Sequence, residues 1–206
     1  MGLLCSALGA GGQQRELLAE FATLNQTAIS FARCNVKADV LVKQDREPLL
    51  RDFHMIGAGY ELDDPWQALL EPYKNDGKAR KSDGGGAKIT YRYYLQDAAF
   101  ALALEVPSAR AQAIAEALQN PTWDVYLGRK NCVPTDFIYR GIFDNELAAL
   151  EQANVIALEK TRVEDFRVIN GLSADGSGEV FTINDVPVQF GEDKRYRDRQ
   201  VSLINV

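Results

Sequence analysis

A chain of 206 residues, 46% hydrophobic and 25% charged, is long enough to bury a core as one domain carrying a large insertion. Lys and Arg number 23 against 29 Asp and Glu, and the resulting −6 excludes a free-standing polycation that coats nucleic acid. No run approaches the ~18 consecutive apolar residues of a membrane span, so the sequence reads as a soluble protein with no membrane partner.

Residues 2–9 read as a short apolar helix, with Leu3, Leu4, Ala7 and Leu8 turned toward a core and breaks at Gly9, Gly11 and Gly12. Met1 to Ser6 also fits a myristoylation pattern, but that pattern is loose and the helix accounts for the same residues. Helical spacing resumes from Gln13 to Leu24 through Leu17, Leu18, Phe21 and Leu24. Two alternating strands are expected across residues 28–43. Residues 44 to 87 break the pattern. Ordered pieces are expected near Leu49–Met55 and at a helical turn over Asp64–Leu70, and Lys74–Lys88 with Gly84, Gly85 and Gly86 reads as a loop tip. The P-loop pattern Gly-x-x-x-x-Gly-Lys-Ser/Thr is absent, so the glycines do not read as a phosphate cradle.

Alternation returns over Lys88–Leu95 and again from Ala99 to Val106, and Pro107-Ser108 opens a helix to Gln119. Helix, strand, long excursion, strand and helix in that order, with a strand on each side, match the split βαβ or ferredoxin-like arrangement. From Trp123 onward, short strands at Phe166–Ile169, Glu179–Ile183 and Arg197–Ile204 join a helix at Asn145–Gln152, which suggests a smaller β-rich lobe. The expected fold is therefore α+β: a ferredoxin-like body over residues 1–122 with a thumb inserted at about 44–97, then a C-terminal lobe over 123–206.

Chemistry-bearing residues are unevenly spread. Cys5, Cys34 and Cys132 lie far apart without a Cys-x-x-Cys pair, which fits a reducing cytoplasm. With His54 the sole histidine, no metal-ligand spacing is visible, and neither metal nor cofactor is expected. Between Tyr73 and Leu95, six cations (Lys74, Lys78, Arg80, Lys81, Lys88, Arg92) face only Asp76 and Asp83. This local +4 leaves −10 for the remainder. Lys88, Thr90, Arg92 and Tyr94 alternate onto one strand face, combining phosphate contacts with a stacking ring as single-stranded nucleic acid requires. On charge alone the same strand reads equally well as a solvated hairpin face. Tyr126-Leu127-Gly128-Arg129-Lys130-Asn131-Cys132 is a second anion-binding candidate, and Arg195, Arg197 and Arg199 alternate as a third, weaker one. His54, in Arg51-Asp52-Phe53-His54, fits a structural hydrogen bond better than a general base, since nothing in the sequence fixes a partner for it.

Several stretches together resemble one family. Gly2-Leu3-Leu4-Cys5-Ser6-Ala7-Leu8-Gly9, Leu50-Arg51-Asp52-Phe53-His54, Thr90-Tyr91-Arg92-Tyr93-Tyr94-Leu95-Gln96-Asp97-Ala98-Ala99-Phe100 and Tyr126–Cys132 occur in order. Asp185-x-Pro187 and Arg195-Tyr196-x-x-Arg199 follow them. They are similar to the type I-E (CasD) branch of the Cas five (RAMP) group of CRISPR-associated proteins. The resemblance implies a ferredoxin-like body with a thumb, in a subunit that holds the 5′ handle of crRNA at one end of the Cascade complex. It further implies contacts with the Cascade backbone subunit and a large subunit, target DNA being met only through the complex. Members of the group begin with a strand upstream of the Gly-rich helix, where Met1 falls here, and a ferredoxin-like sheet without that strand would have an open edge or an uncovered core.

Two functions follow from these readings. The first is a non-catalytic RNA-binding and assembly subunit in antiviral defence. Lys88, Arg92, Arg129 and Lys130 would contact phosphates, Tyr94 and Tyr126 would stack, and Arg51 and His54 would lie at the thumb base. The second is a metal-independent repeat endoribonuclease of type I-C character, with His54 as base and Lys88 or Tyr91 assisting.

Overall fold

The structure, a computed structural model, describes residues 1–37, 40–56, 88–173 and 176–206. The chain falls into two units, one of Met1–Asp45 with Ala98–Val206 and one of Arg46–Asp97. The expected helical turn at Asp64–Leu70 and the glycine-bearing loop before Lys88 lie outside the described residues. Among the described residues, no helix is long and apolar enough to cross a membrane.

The larger unit is α+β. It opens with α1 (Gly2–Leu8) and α2 (Arg15–Phe21), followed by β1 (Gln26–Lys37) and β2 (Val40–Lys43). After the smaller unit come β5 (Ala99–Leu104), α3 (Ser108–Gln119), α4 (Glu146–Glu159), β6 (Arg162–Asn170), β7 (Glu179–Gln189) and β8 (Arg195–Asn205). The smaller unit holds β3 (Leu50–Ile56) and β4 (Lys88–Tyr94).

β1 organises the sheet. Its first half pairs antiparallel with β5 along one edge, Ile29 opposite Ala101, and with β6 along the other, Ile29 opposite Arg167. Its last four residues pair with β2. β8 and then β7 extend the sheet beyond β6, so the strands from the C-terminal third join the sheet built on β1. Among the described residues β5 pairs only with β1, and its outer edge carries no strand.

Two apolar clusters hold this unit together. α4 lays Leu150, Ala153 and Ala157, spaced along one helical stripe, against Ile29 and Phe31 of β1 and Ala99 and Ala101 of β5. At the start of the same contact Thr27 Oγ1 donates to the Glu146 carboxylate. The Asn145 side chain caps α4 by accepting from the Ala148 N–H at 3.0 Å. α4 runs seven residues past the expected end at Gln152. Val155 and Ile156 weaken helix propensity there, and the burial of Ala157 outweighs them.

The second cluster joins Leu4 and Cys5 of α1, Leu17, Leu18 and Phe21 of α2 and Ile114 of α3, with Leu104, Val106 and Phe190 around them. Leu18, 1% exposed, is its most buried member, and burying such a side chain contributes about 2 kcal/mol. Gly9 closes α1 in the left-handed conformation at φ +67°, while the Ala10 N–H reaches back to the Cys5 carbonyl at 2.8 Å. The segment after α3 then docks on this helix end, with the Thr122 N–H donating to the Ala7 carbonyl at 2.9 Å. A Cβ on Gly9 would lie 2.9 Å from Thr122 Cγ2, and one on Gly11 would lie 3.0 Å from the Trp123 ring. Gly9, which ends the first motif, and Gly11 just after it therefore serve close packing.

Candidate nucleic-acid interface

Five of the eight residues expected to bind RNA lie on the hairpin of the smaller unit. β3 and β4 pair antiparallel, with Leu50 opposite Tyr94, Arg51 opposite Tyr93, Asp52 opposite Arg92, Phe53 opposite Tyr91, His54 opposite Thr90, and Lys88 opposite Ile56. Directly opposed residues share a face, so this register sorts the candidates. Asp52, His54, Thr90, Arg92 and Tyr94 lie together on one face, all half-buried. Arg51 lies on the other, with Phe53, Ile89, Tyr91 and Tyr93, all exposed.

The two faces differ in chemistry. On the first, Asp52 is the cross-strand partner of Arg92, and the Thr90 hydroxyl donates to the His54 main-chain carbonyl at 3.2 Å. On the second, the Arg51 guanidinium carbon sits 5.2 Å from the Tyr91 ring centroid. Phe53 meets the same ring edge-on, with centroids 5.9 Å apart and planes inclined at 68°. Reading β4 alone picked out Tyr94 as its stacking residue and gave no weight to Phe53 or Tyr93. The alternation of Tyr91 and Tyr93 was the available signal, and its meaning depends on the pairing with β3.

The other three candidates belong to the larger unit. Leu127 and Cys132 close a loop through the Leu127 N–H and the Cys132 carbonyl, 2.8 Å apart. Within it the Cys132 N–H donates to the Arg129 carbonyl at 2.9 Å, a β-turn with Lys130 and Asn131 at its centre. Gly128 enters this turn at φ +83° with open space about its α-carbon, so backbone conformation, not packing, calls for glycine here. Arg129 and Lys130 are exposed on the turn, and Tyr126, 38% exposed, precedes it.

In the third basic stretch, Arg197 and Arg199 are engaged within the fold. Arg197 donates to the Ala22 carbonyl at the end of α2. Arg199 forms a two-pronged pair with Asp185, 2.7 Å on each prong, and also bonds the Asn170 amide oxygen. The β7–β8 register skips Asp185 between Asn184 and Val186, so a bulge releases that carboxylate from the ladder toward Arg199. Among the described residues, no group of three or more His, Cys, Asp or Glu side chains could hold a metal ion.

A model of the family described as CRISPR-associated protein (Cas_Cas5) matches residues 1–201. No curated protein matches the chain. A solved structure named "CRISPR RNA-guided surveillance complex" is similar in fold, with a TM-score of 0.58 and 23% identity over 100% of this chain and 76% of that one. A second, named "Crystal structure of Cas protein", gives a TM-score of 0.54 and 21% identity over 99% of this chain and 76% of that one. With the family model spanning both the helices of the first motif and the strands that carry Asp185 and Arg199, the chain belongs to the CRISPR-associated Cas5 family.

Proposed function

We propose that the chain is a non-catalytic subunit of a type I-E CRISPR Cascade surveillance complex, cytoplasmic and acting in antiviral defence. In this reading it binds the 5′ handle of crRNA, caps the backbone, and contacts the neighbouring backbone and large subunits through its thumb. Lys88, Arg92, Arg129 and Lys130 contact phosphates, Tyr94 and Tyr126 stack on bases, and Arg51 and His54 lie at the thumb base. Target DNA is met through the assembled complex. The support comes from family membership, from a fold shared with a surveillance-complex protein, and from a hairpin unit that gathers cations and aromatic rings.

The hairpin register narrows the cleavage alternative. His54 and Tyr91 occupy opposite faces of the hairpin, because Thr90, and not Tyr91, stands opposite His54. A base and an assisting hydroxyl on opposite faces of a two-stranded sheet cannot reach one phosphodiester together, so a cleavage reading would have to rest on His54 with Lys88, two positions from Thr90 along β4.

The test is to incubate the purified chain with labelled CRISPR repeat RNA in EDTA, beside a His54→Ala variant, and resolve the products on a denaturing gel. Intact RNA in both lanes is the expected result. Site-specific cleavage that disappears in the variant would make this a metal-independent repeat endoribonuclease and overturn the architectural reading.

A further inference from the structure

Phe53, Tyr91 and Tyr93 expose 56%, 56% and 58% of their surface on one face of a two-stranded hairpin. Each ring left in water forgoes the stabilisation that burial would provide, and contiguous exposed aromatics mark a contact surface. Phe53 and Tyr91 brace one another edge to face, whereas Tyr93 has no ring partner among the described residues. Arg51 stands directly opposite Tyr93 and also packs over Tyr91, so a guanidinium lies within the aromatic group.

We propose that this face is a base-stacking platform for single-stranded RNA. An unpaired nucleobase lies on Tyr93, and Arg51 contacts the adjoining phosphate. The proposal rests on the RNA-binding reading above and moves its stacking centre on the hairpin from Tyr94 to the opposite face. Charge complementarity selects the occupant. Among the described side chains of this face, Arg51 is charged and no carboxylate accompanies it, a balance that suits an anionic strand. Flat rings interleaved with a guanidinium match nucleobases and phosphates, and stacking tolerates any base because every base has a π-face.

The experiment measures affinity of the full chain for a repeat-derived single-stranded RNA and for the same strand made fully abasic. Tyr93→Leu, which keeps apolar bulk on a strand position, should bind the normal RNA about tenfold more weakly. Tyr93→Phe should stay within about twofold of the parent, since the π-face is retained. Both variants should bind the abasic strand as the parent does, with an unchanged salt dependence. If Tyr93→Leu binds normal RNA as tightly as the parent, or loses equally on the abasic strand, the platform is refuted. A chain whose RNA binding depends on Arg129 and Lys130 but not on Tyr93 would lose only this inference, and its aromatic face would be a protein contact. A chain that binds no RNA would overturn both readings.

Discussion

Gly9 lies where two physical demands coincide. Its φ of +67° is a conformation that costs other residues about 1 kcal/mol, and Thr122 occupies the space a side chain would need. Gly9→Ala should therefore lower stability by about 2 kcal/mol, part from the backbone and part from the contact. Thr122→Ser removes the methyl group that an alanine Cβ would meet first. In the Gly9→Ala background it should return about half of the loss, read as the denaturant midpoint. Strict additivity of the two substitutions would show that Thr122 plays no part and that the cost is conformational alone.

Between elements, Arg199 joins β8 to the bulge in β7 and to the end of β6 through Asp185 and Asn170. Its side chain is 19% exposed and that of Asp185 is 46% exposed, so the pair is sheltered on the arginine side only. Arg199→Ala should cost about 2 kcal/mol, chiefly from leaving the Asn170 amide and the carboxylate without their partner. Arg199→Lys should restore little, because an ammonium cannot span both carboxylate oxygens. A lysine variant with the parent's thermal midpoint would show that charge alone suffices.

This lock also marks the limit of what the sequence makes legible at the level of elements. Alternation and helical spacing revealed β1, β2, β4, β5 and α3 because their apolar residues recur at strand or helix period, even where, as in β2, the strand lies exposed. The bulge at Asp185 leaves no periodic trace, so Arg199 read as one of three surface cations. The hairpin shows the same division. The alternation of Lys88, Thr90, Arg92 and Tyr94 was plain in the sequence, but which face of β4 stays open is set by the register with β3 and by burial. Both are tertiary properties, so the alternation of β4 alone does not separate the setting of Tyr93 from that of Tyr94.

Across the whole molecule, a net charge of −6 would oppose the proposed RNA ligand, and in that reading the cations on the hairpin and on the Arg129–Lys130 turn act locally. Ionic strength decides which wins. At about 0.15 M salt the screening length is about 8 Å, so remote carboxylates are shielded while direct phosphate contacts persist. At about 0.01 M it reaches about 30 Å, and the acidic remainder is felt across the protein. A plot of log affinity against log salt should therefore fall steeply above about 0.1 M and flatten below about 0.03 M. Each phosphate contact on a single strand contributes about 0.7 to the steep slope. Arg129→Ala with Lys130→Ala should then reduce it by about 1.4 while leaving the flattening in place, because the acidic remainder is untouched. An unchanged slope would remove the turn from the RNA interface, and a line straight down to 0.01 M salt would show that the acidic surface faces away from the ligand.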